Sequence, residues 1–345
     1  MSRAGLNRKT ALATLTLTLA AEAPDLDVIG RFWGRAVAFA HHRGFTHSLV
    51  GVPLDAAAVV GFVYLLWRLR GRKIKDPKIP PRWGILFFYA CLAGISHILL
   101  DFTNNYGVRP FWPFSERWYS WDIVFIFEPV MLGLLALGLI VPSLSGLIDK
   151  EIGVRRGGPR GRVAATLALV GIVLMWGLRD YEHRRAVNAL EARTYNDVDP
   201  LRVSAYPKMV DPFHWSGVVE TPAFFALAPV NSLEPEVDPE GRMEIRYKPE
   251  ETPITIAAKK SYAGRVFLDW AQYPITETEI LEGSRQGYIV HFQDLRYVDP
   301  ASSASDDRAR SVLGAAVELD SSLRVIGDVY GARKKRIVVP DPGQR

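Results

Sequence analysis

Long apolar runs confined to the first 180 residues are the feature that most constrains what this chain can fold into. A helix needs about 20 apolar residues to cross the hydrocarbon core of a bilayer. Four runs reach or approach that length, at residues 49–67, 83–100, 123–141 and 163–178. The rest of the 345-residue chain is polar in composition. The sequence therefore predicts an α-helical membrane domain followed by a soluble domain, and it excludes a uniformly soluble enzyme.

A fifth run, residues 10–21, is shorter and rich in threonine, and basic residues precede it. Its end, Ala21-Glu22-Ala23, resembles a signal-peptide cleavage site, but Pro24 at the following position disfavours cleavage. We therefore expect an uncleaved helix, which brings the predicted number of transmembrane helices to four or five.

Lys and Arg are distributed unequally between the short loops, and this asymmetry predicts an orientation by the positive-inside rule. Fifteen basic residues fall on one side, in the N-terminal segment and in the loops around residues 68–82 and 150–162. Only five fall on the other side. The N-terminus is therefore expected in the cytoplasm, with residues 22–48, 101–122 and everything after about 180 on the external side.

After Arg179 the chain changes to short segments rich in Val, Ile, Tyr and Phe, separated by Pro, Gly and Asp. Their alternation predicts strands, for example at residues 243–247, 254–258, 265–270, 288–292 and 323–329. The predicted organisation is a membrane domain at 1–180, a juxtamembrane helix or linker at 181–200, a β-rich external domain at 201–335 and a flexible tail at 336–345.

Charge and cysteine content exclude several classes of protein. The net charge of +5 does not indicate a nucleic-acid partner, because the basic residues gather in the loops that set orientation. Cys91 is the single cysteine. An internal disulfide, a cysteine-rich zinc site and a thioredoxin motif are therefore all excluded.

Two clusters that contain histidine near the predicted external face are candidate metal sites. His42 and His47 lie just before the apolar run at 49–67, where Thr46 or Ser48 can also cap a helix. His97 and Asp101 are four residues apart, so a helix places them on one face, where both can reach one cation. The alternative for the second pair is a hydrogen bond from His97 to Asp101 that satisfies a polar group near the membrane.

A third cluster, Asp25 and Asp27, falls on the same predicted face. Two such carboxylates can supply oxygen ligands to a cation, or one ligand and one catalytic base. The orientation predicted from Lys and Arg did not use these residues, yet it places all three clusters on the same face of the membrane. We therefore expect His42, His47, His97, Asp101 and one or both aspartates to form a zinc or dinuclear site with an open water position.

The segment that follows Asp101 is dense in aromatic residues, which is typical of the boundary between bilayer and water. Within it, Arg109 and Arg117 are candidates for binding an anionic group such as a phosphate. Glu128 lies deeper, inside the apolar run at 123–141, and can be a ligand, a base, a residue that supports the ligands, or the partner of an arginine in helix packing. Asp55, in the apolar run at 49–67, leaves the same alternatives open.

These motifs together resemble a known family. The segments are Pro24-Asp25-Leu26-Asp27, His42-Arg43-Gly44-Phe45-Thr46-His47-Ser48, His97-x-x-x-Asp101 and Tyr106-Gly107-x-Arg109-Pro110-Phe111-Trp112-Pro113. They are similar to those of the LexA-regulated, YdjM-like family of inner-membrane metal-dependent hydrolases. The stretch Pro212-Phe213-x-Trp215-x-Gly217-Val218-Val219-Glu220-Thr221 resembles the external domain of its longer members.

The resemblance implies a multi-pass inner-membrane protein with metal-dependent hydrolase activity, remotely similar to zinc phospholipase C and P1 nuclease. It implies metal ligation by His42, His47, His97 and Asp101. Asp25 and Asp27 are expected to be the catalytic carboxylates, and the expected cofactor is zinc or manganese. The expected substrate is a phosphoester of a lipid or of another membrane-derived molecule.

Two other classes of function remain open from the sequence. One is a non-enzymatic membrane protein whose metal cluster is structural and whose β-rich domain binds an envelope partner. The other is a metal-ion transporter, in which Glu128 and Asp55 would line the path across the membrane.

Overall fold

A computed structural model describes residues 1–69, 79–151, 161–281, 286–298 and 313–330. The chain divides into two compact units. The first comprises Met1–Val28, Arg43–Tyr181 and Pro207–Pro212, and the second comprises Ile29–His42, Glu182–Tyr206 and Phe213–Arg345. The predicted tail at 336–345 and eight of the basic residues that predict orientation, at 70–78 and 155–160, lie outside the described residues.

The first unit is helical. Its helices are α1 (Ala13–Glu22), α3 (Gly51–Leu69), α4 (Trp83–Thr103), α5 (Pro129–Glu151) and the first part of α6 (Arg162–Glu191), while α2 (Arg35–His41) belongs to the second unit. Two 3₁₀ segments, Pro24–Trp33 and Phe45–His47, connect them.

Among the described residues, three helices are long and apolar enough to cross a membrane, namely α3, α4 and α6. They cover the predicted runs at 49–67, 83–100 and 163–178. The run at 123–141 differs, because its helix, α5, begins only at Pro129, and within the described side chains its apolar stretch extends from Pro129 to Ser145. Proline favours the first turn of a helix, since it lacks an N–H and fixes its own φ. Helix α1 has ten residues and is shorter than a span.

The helices of the first unit pack through small side chains. Helix α1 contributes Ala13, Leu17 and Ala20 to a buried cluster with Leu86 and Ala93 of α4. A Cβ on Gly138 of α5 would lie only 2.8 Å from the Cβ of Ala168 on α6. Glycine therefore sets the close approach of these two helices, as is common in membrane proteins.

The second unit contains two antiparallel sheets. The first sheet contains β1 (Arg202–Pro207), β2 (His214–Glu220), β3 (Phe224–Asn231), β4 (Glu236–Val237) and β5 (Glu244–Tyr247), in the order β1-β2-β3-β4 with β5 also on β3. The second contains β6 (Pro274–Leu281), β7 (Gly287–Asp294), β8 (Ala315–Asp320) and β9 (Val325–Tyr330), in that order. The predicted fold class, a helical membrane domain followed by a β-rich domain, is confirmed.

The end of α6 and the short helix α2 complete the second unit. Ala186 and Leu190 of α6 pack with Trp215 and Val219 in the core of the first sheet. Burial of the Leu190 and Val219 side chains contributes about 1.5–3 kcal/mol each. Phe39 of α2 contacts the ring of Trp270 at 5.2 Å between centroids.

Two of the predicted strands are wrong. Residues 254–258 and 265–270 lie in helices α7 (Pro253–Lys260) and α8 (Tyr262–Trp270). Thr252 forms a capping box with Thr255, and Pro253 occupies the first turn, so the start of α7 is well satisfied despite its β-branched residues. Ser261 caps α8 by accepting a hydrogen bond from the Gly264 N–H.

Candidate metal centre

Three separate segments of the first unit deliver the candidate ligands. The 3₁₀ segment Pro24–Trp33 carries Asp25, the 3₁₀ turn Phe45–His47 carries His47, and α4 carries His97 and Asp101 one turn apart. Ser48 fixes the start of α3, because its Oγ accepts a hydrogen bond from the Gly51 N–H at 2.9 Å.

The ligand atoms of four side chains converge. The Nε2 atoms of His47 and His97 lie 3.2 Å apart. Asp101 Oδ2 lies 3.3 Å from His47 Nε2 and 3.4 Å from His97 Nε2. Asp25 Oδ1 lies 3.6 Å and 3.5 Å from the same two nitrogens. The ligand atoms of Asp25, His47 and His97 thus all lie within 4.8 Å of one another, and Asp101 Oδ2 contacts the same two nitrogens.

These distances fit a shared metal ion. Nitrogen and oxygen ligands bound tetrahedrally at about 2.0–2.2 Å lie about 3.3–3.6 Å from one another. The buried Asp101 Oδ2 provides an independent test, because within the described residues it accepts no hydrogen bond of good geometry. A buried carboxylate oxygen without a donor is costly unless a cation neutralises it. The residues present therefore fit a divalent metal.

Burial shows on which side the cluster is open. The side chain of His47 is fully buried, and those of His97 and Asp101 are 16% and 15% exposed. Asp25 is different, with 54% of its side chain exposed. Solvent therefore reaches the cluster from the side of Asp25.

The electrostatics of the cluster reflect its mixed charge. The neighbouring His47 and His97 imidazoles hold the pKa of Asp25 well below its ordinary range, against the opposing effect of burial. Burial alone would lower the pKa of His47, but the carboxylates of Asp101 and Asp25 outweigh it and raise that pKa. Without a metal, the cluster therefore favours a protonated His47 beside ionised aspartates.

Asp27 lies behind His47 rather than on the open side. Its Oδ2 is 3.6 Å from His47 Nδ1, and its side chain is buried. Thr46 Oγ1 lies 3.1 Å from the same nitrogen. A carboxylate on the far nitrogen of a ligating histidine fixes the tautomer that leaves Nε2 available. This position favours orientation of His47 by Asp27 over the proton-accepting role predicted from the sequence.

Arg43 also belongs to the site, although the sequence did not predict a role for it. Its Nη2 donates a hydrogen bond to Asp101 Oδ1 at 2.8 Å, and its backbone N–H donates to Asp27 Oδ2 at 2.8 Å. The only signal in the sequence was its place between His42 and His47.

Other predicted residues are not in the group whose ligand atoms are mutually close. His42 is not among the described residues whose ligand atoms all lie within 4.8 Å of one another, namely Asp25, His47 and His97. Arg109 is buried with its guanidinium over the ring of Trp118. Arg117 is exposed and lies over the ring of Tyr119. Of the two arginines, Arg117 is therefore the accessible one.

Glu128 is held by an ion pair. Arg179 Nη2 donates to Glu128 Oε2 at 2.9 Å, and both side chains are almost fully buried. Among the alternatives left open by the sequence, the structure therefore favours the arginine partner in helix packing. Asp55 lies in the first part of α3, where its Oδ2 is buried and, within the described residues, accepts no hydrogen bond.

Comparison with known proteins gives one family and one relative. The model of the YdjM inner membrane protein family matches residues 1–186, which include every side chain of the cluster. The chain is also similar to the uncharacterized protein YfhP of Bacillus subtilis (strain 168), with 25% identity over 300 residues that cover 85% of this chain and 80% of the relative. No solved structure is significantly similar to the chain.

Proposed function

Because the chain belongs to the YdjM inner membrane protein family, we propose that its cluster serves a membrane-bound, metal-dependent hydrolase. The observation that carries the proposal is that Asp25 and Asp101 each place a carboxylate oxygen within 3.6 Å of the Nε2 atoms of both His47 and His97. In this proposal the protein crosses the membrane several times and the site lies at the extracytoplasmic face, in keeping with the distribution of Lys and Arg.

The buried and exposed members of the cluster have different roles. His47, His97 and Asp101 would bind zinc or manganese, a set of two histidines and one carboxylate that leaves a coordination position open. When bound, such an ion polarises a substrate oxygen and acidifies water. Asp25 lies on the exposed side, where it would accept a proton from the attacking water, while Asp27 and Thr46 hold the His47 ring in place.

The position of the site in α4 supports a substrate derived from the membrane. His97 precedes the end of the helix at Thr103 by six residues, or about 9 Å at 1.5 Å per residue. Leu99 and Leu100 beside it are exposed, as expected for a surface that faces lipid. A lipid phosphoester would present its headgroup near this depth, and the accessible Arg117 offers donors for a phosphate.

The experiment is a substrate screen in liposomes. Purified protein reconstituted with zinc or manganese is incubated with lipid and nucleotide phosphoesters, and release of product is measured. We expect hydrolysis of a lipid phosphoester by the wild type and by Glu116→Gln, a control at an exposed carboxylate. Asp25→Asn should abolish turnover but retain metal, whereas His97→Ala should lose both. Absence of hydrolysis across the panel would contradict the proposal.

A structural metal cluster in a non-enzymatic protein is the second candidate. It is favoured by the contact of two carboxylates with the same pair of imidazoles, since closed four-ligand sites are typical of structural zinc. The second unit would then bind an envelope partner. This candidate predicts that metal removal lowers the melting temperature of the protein, and that the metal-loaded wild type hydrolyses nothing in the screen.

A further inference from the structure

We propose that Arg43 is a positioning residue that makes Asp101 a one-oxygen ligand and thereby favours zinc over larger cations. The inference rests on the proposed metal site but not on hydrolysis. It concerns how the protein controls the denticity of Asp101, that is, whether one or both carboxylate oxygens are available to a metal.

The two oxygens of Asp101 have different partners, because only one of them is bonded to the guanidinium of Arg43. Its Nη2 donates to Oδ1 at 2.8 Å. Oδ2, in contrast, points to the Nε2 atoms of His47 and His97 at 3.3 and 3.4 Å. Because Oδ1 is engaged in a charge-assisted hydrogen bond, Oδ2 is the oxygen left for a metal.

The fold holds the guanidinium in this position from several directions. Its Nη1 donates to Asn104 Oδ1 at 3.3 Å and to the Gly107 carbonyl at 3.1 Å. The ring of Tyr106 lies 4.6 Å below it. Arg43 is therefore clamped by the loop that follows α4, the same helix that carries Asp101. Lysine cannot reproduce these contacts, because it lacks the planar fork of donors.

The backbone of Arg43 contributes as well. Its N–H donates to Asp27 Oδ2, the carboxylate behind His47. Its φ of 52° lies in the left-handed region, which non-glycine residues rarely adopt. One residue with a strained backbone thus donates hydrogen bonds to both Asp27 and Asp101. Backbone strain of this kind is concentrated at functional sites.

Denticity has consequences for the choice of metal. Zinc is satisfied by four ligands, including single carboxylate oxygens. Manganese and calcium prefer more oxygen ligands, and calcium often takes both oxygens of a carboxylate. Engagement of Oδ1 by Arg43 therefore favours a low coordination number and disfavours the larger ions.

The test compares metal binding by the purified full-length wild type, Arg43→Gln and Arg43→Lys, with Arg68→Gln as a control at an exposed arginine. Zinc and manganese affinities are measured by competition titration, and cobalt absorption spectra report the coordination number. We expect both Arg43 variants to bind zinc about 10–100-fold more weakly. The preference for zinc over manganese should fall, and the visible cobalt bands should weaken toward those of higher coordination.

A second variant keeps the test decisive if the Arg43 variants fold poorly. Asn104→Ala removes one partner of Nη1 and leaves both Arg43 and Asp101 in place. It should shift the zinc-to-manganese preference in the same direction, by less. Zinc affinity, metal preference and cobalt spectrum unchanged in all three variants would overturn the inference, even if the wild type is a hydrolase. Altered spectra without any hydrolysis by the wild type would support the inference and contradict the proposed activity.

Discussion

Two groups of charged side chains lie in the helical unit, and they differ in the kinds of atoms that face one another. Glu128 and Arg179 form a pair of opposite charges whose atoms meet at 2.9 Å. The cluster of Asp25, His47, His97 and Asp101 instead brings like atoms together, with two Nε2 atoms only 3.2 Å apart. Its Asp101 Oδ2 accepts no hydrogen bond of good geometry within the described residues.

The difference teaches how to recognise a site among buried charges. A pair such as Glu128 and Arg179 satisfies itself, because a donor faces an acceptor. A cluster in which acceptors and imidazole nitrogens face one point becomes complete when a cation binds there. The first group is therefore expected to stabilise the fold, and the second to bind a ligand.

The largest effect is expected when the ion pair of Glu128 and Arg179 alone is broken. Glu128→Ala leaves Arg179 buried without its carboxylate, so we expect a loss of about 3–5 kcal/mol in unfolding free energy. The measurement is reversible unfolding in detergent micelles. Metal affinity should not change. The double variant Glu128→Leu with Arg179→Leu should recover much of the loss, and a metal-free Glu128→Ala protein would contradict the separation of the two groups.

A smaller effect is expected from the residue behind His47. Asp27→Asn keeps the shape of the side chain but removes the charge that orients the His47 ring. Zinc affinity should fall about 10–100-fold, as for other residues that hold a ligating histidine. A competition titration measures this change. An unchanged affinity would show that Asp27 does not support His47.

The pH dependence separates the metal-free from the metal-bound cluster. The raised pKa of His47 stabilises the metal-free fold below pH 6.5, and this contribution is lost as pH rises through the folded-state pKa. Metal binding requires neutral imidazole. Zinc affinity should therefore rise about tenfold per pH unit between pH 5.5 and 6.5 for each proton displaced. Titrations across this range that show a flat affinity would contradict the involvement of His47.

The smallest effect is expected at a residue that the sequence placed in the site. His42 is not in the group of described residues whose ligand atoms all lie within 4.8 Å of one another. His42→Ala should therefore bind zinc as tightly as the wild type in the same titration. Loss of metal in this variant would contradict this expectation and show that His42 is a metal ligand.

Much of the site was predictable because it depends on local spacing. Four residues separate His97 from Asp101, and a helix of the predicted length places them one turn apart. The role of Arg43 was not predictable, since it depends on a loop that returns to the cluster from beyond α4. The choice of His47 over His42 likewise depends on a 3₁₀ turn that the sequence does not specify.

The fold was predictable where runs are long and ambiguous where they are short. Helices α3, α4 and α6 follow from sustained apolar composition. Residues 254–258 combine β-branched side chains with a length that suits either a strand or a helix. Capping by Thr252 and Ser261 decides in favour of helices α7 and α8.

The most direct test of the central claim is the metal content of detergent-purified protein, measured by mass spectrometry for the wild type, His47→Ala and His41→Ala. His41 is exposed and serves as the matched control. The account predicts about one zinc or manganese ion per chain in the wild type and in His41→Ala, and almost none in His47→Ala. A wild type that holds no metal and takes none up, or a His47→Ala protein with undiminished metal, would contradict it.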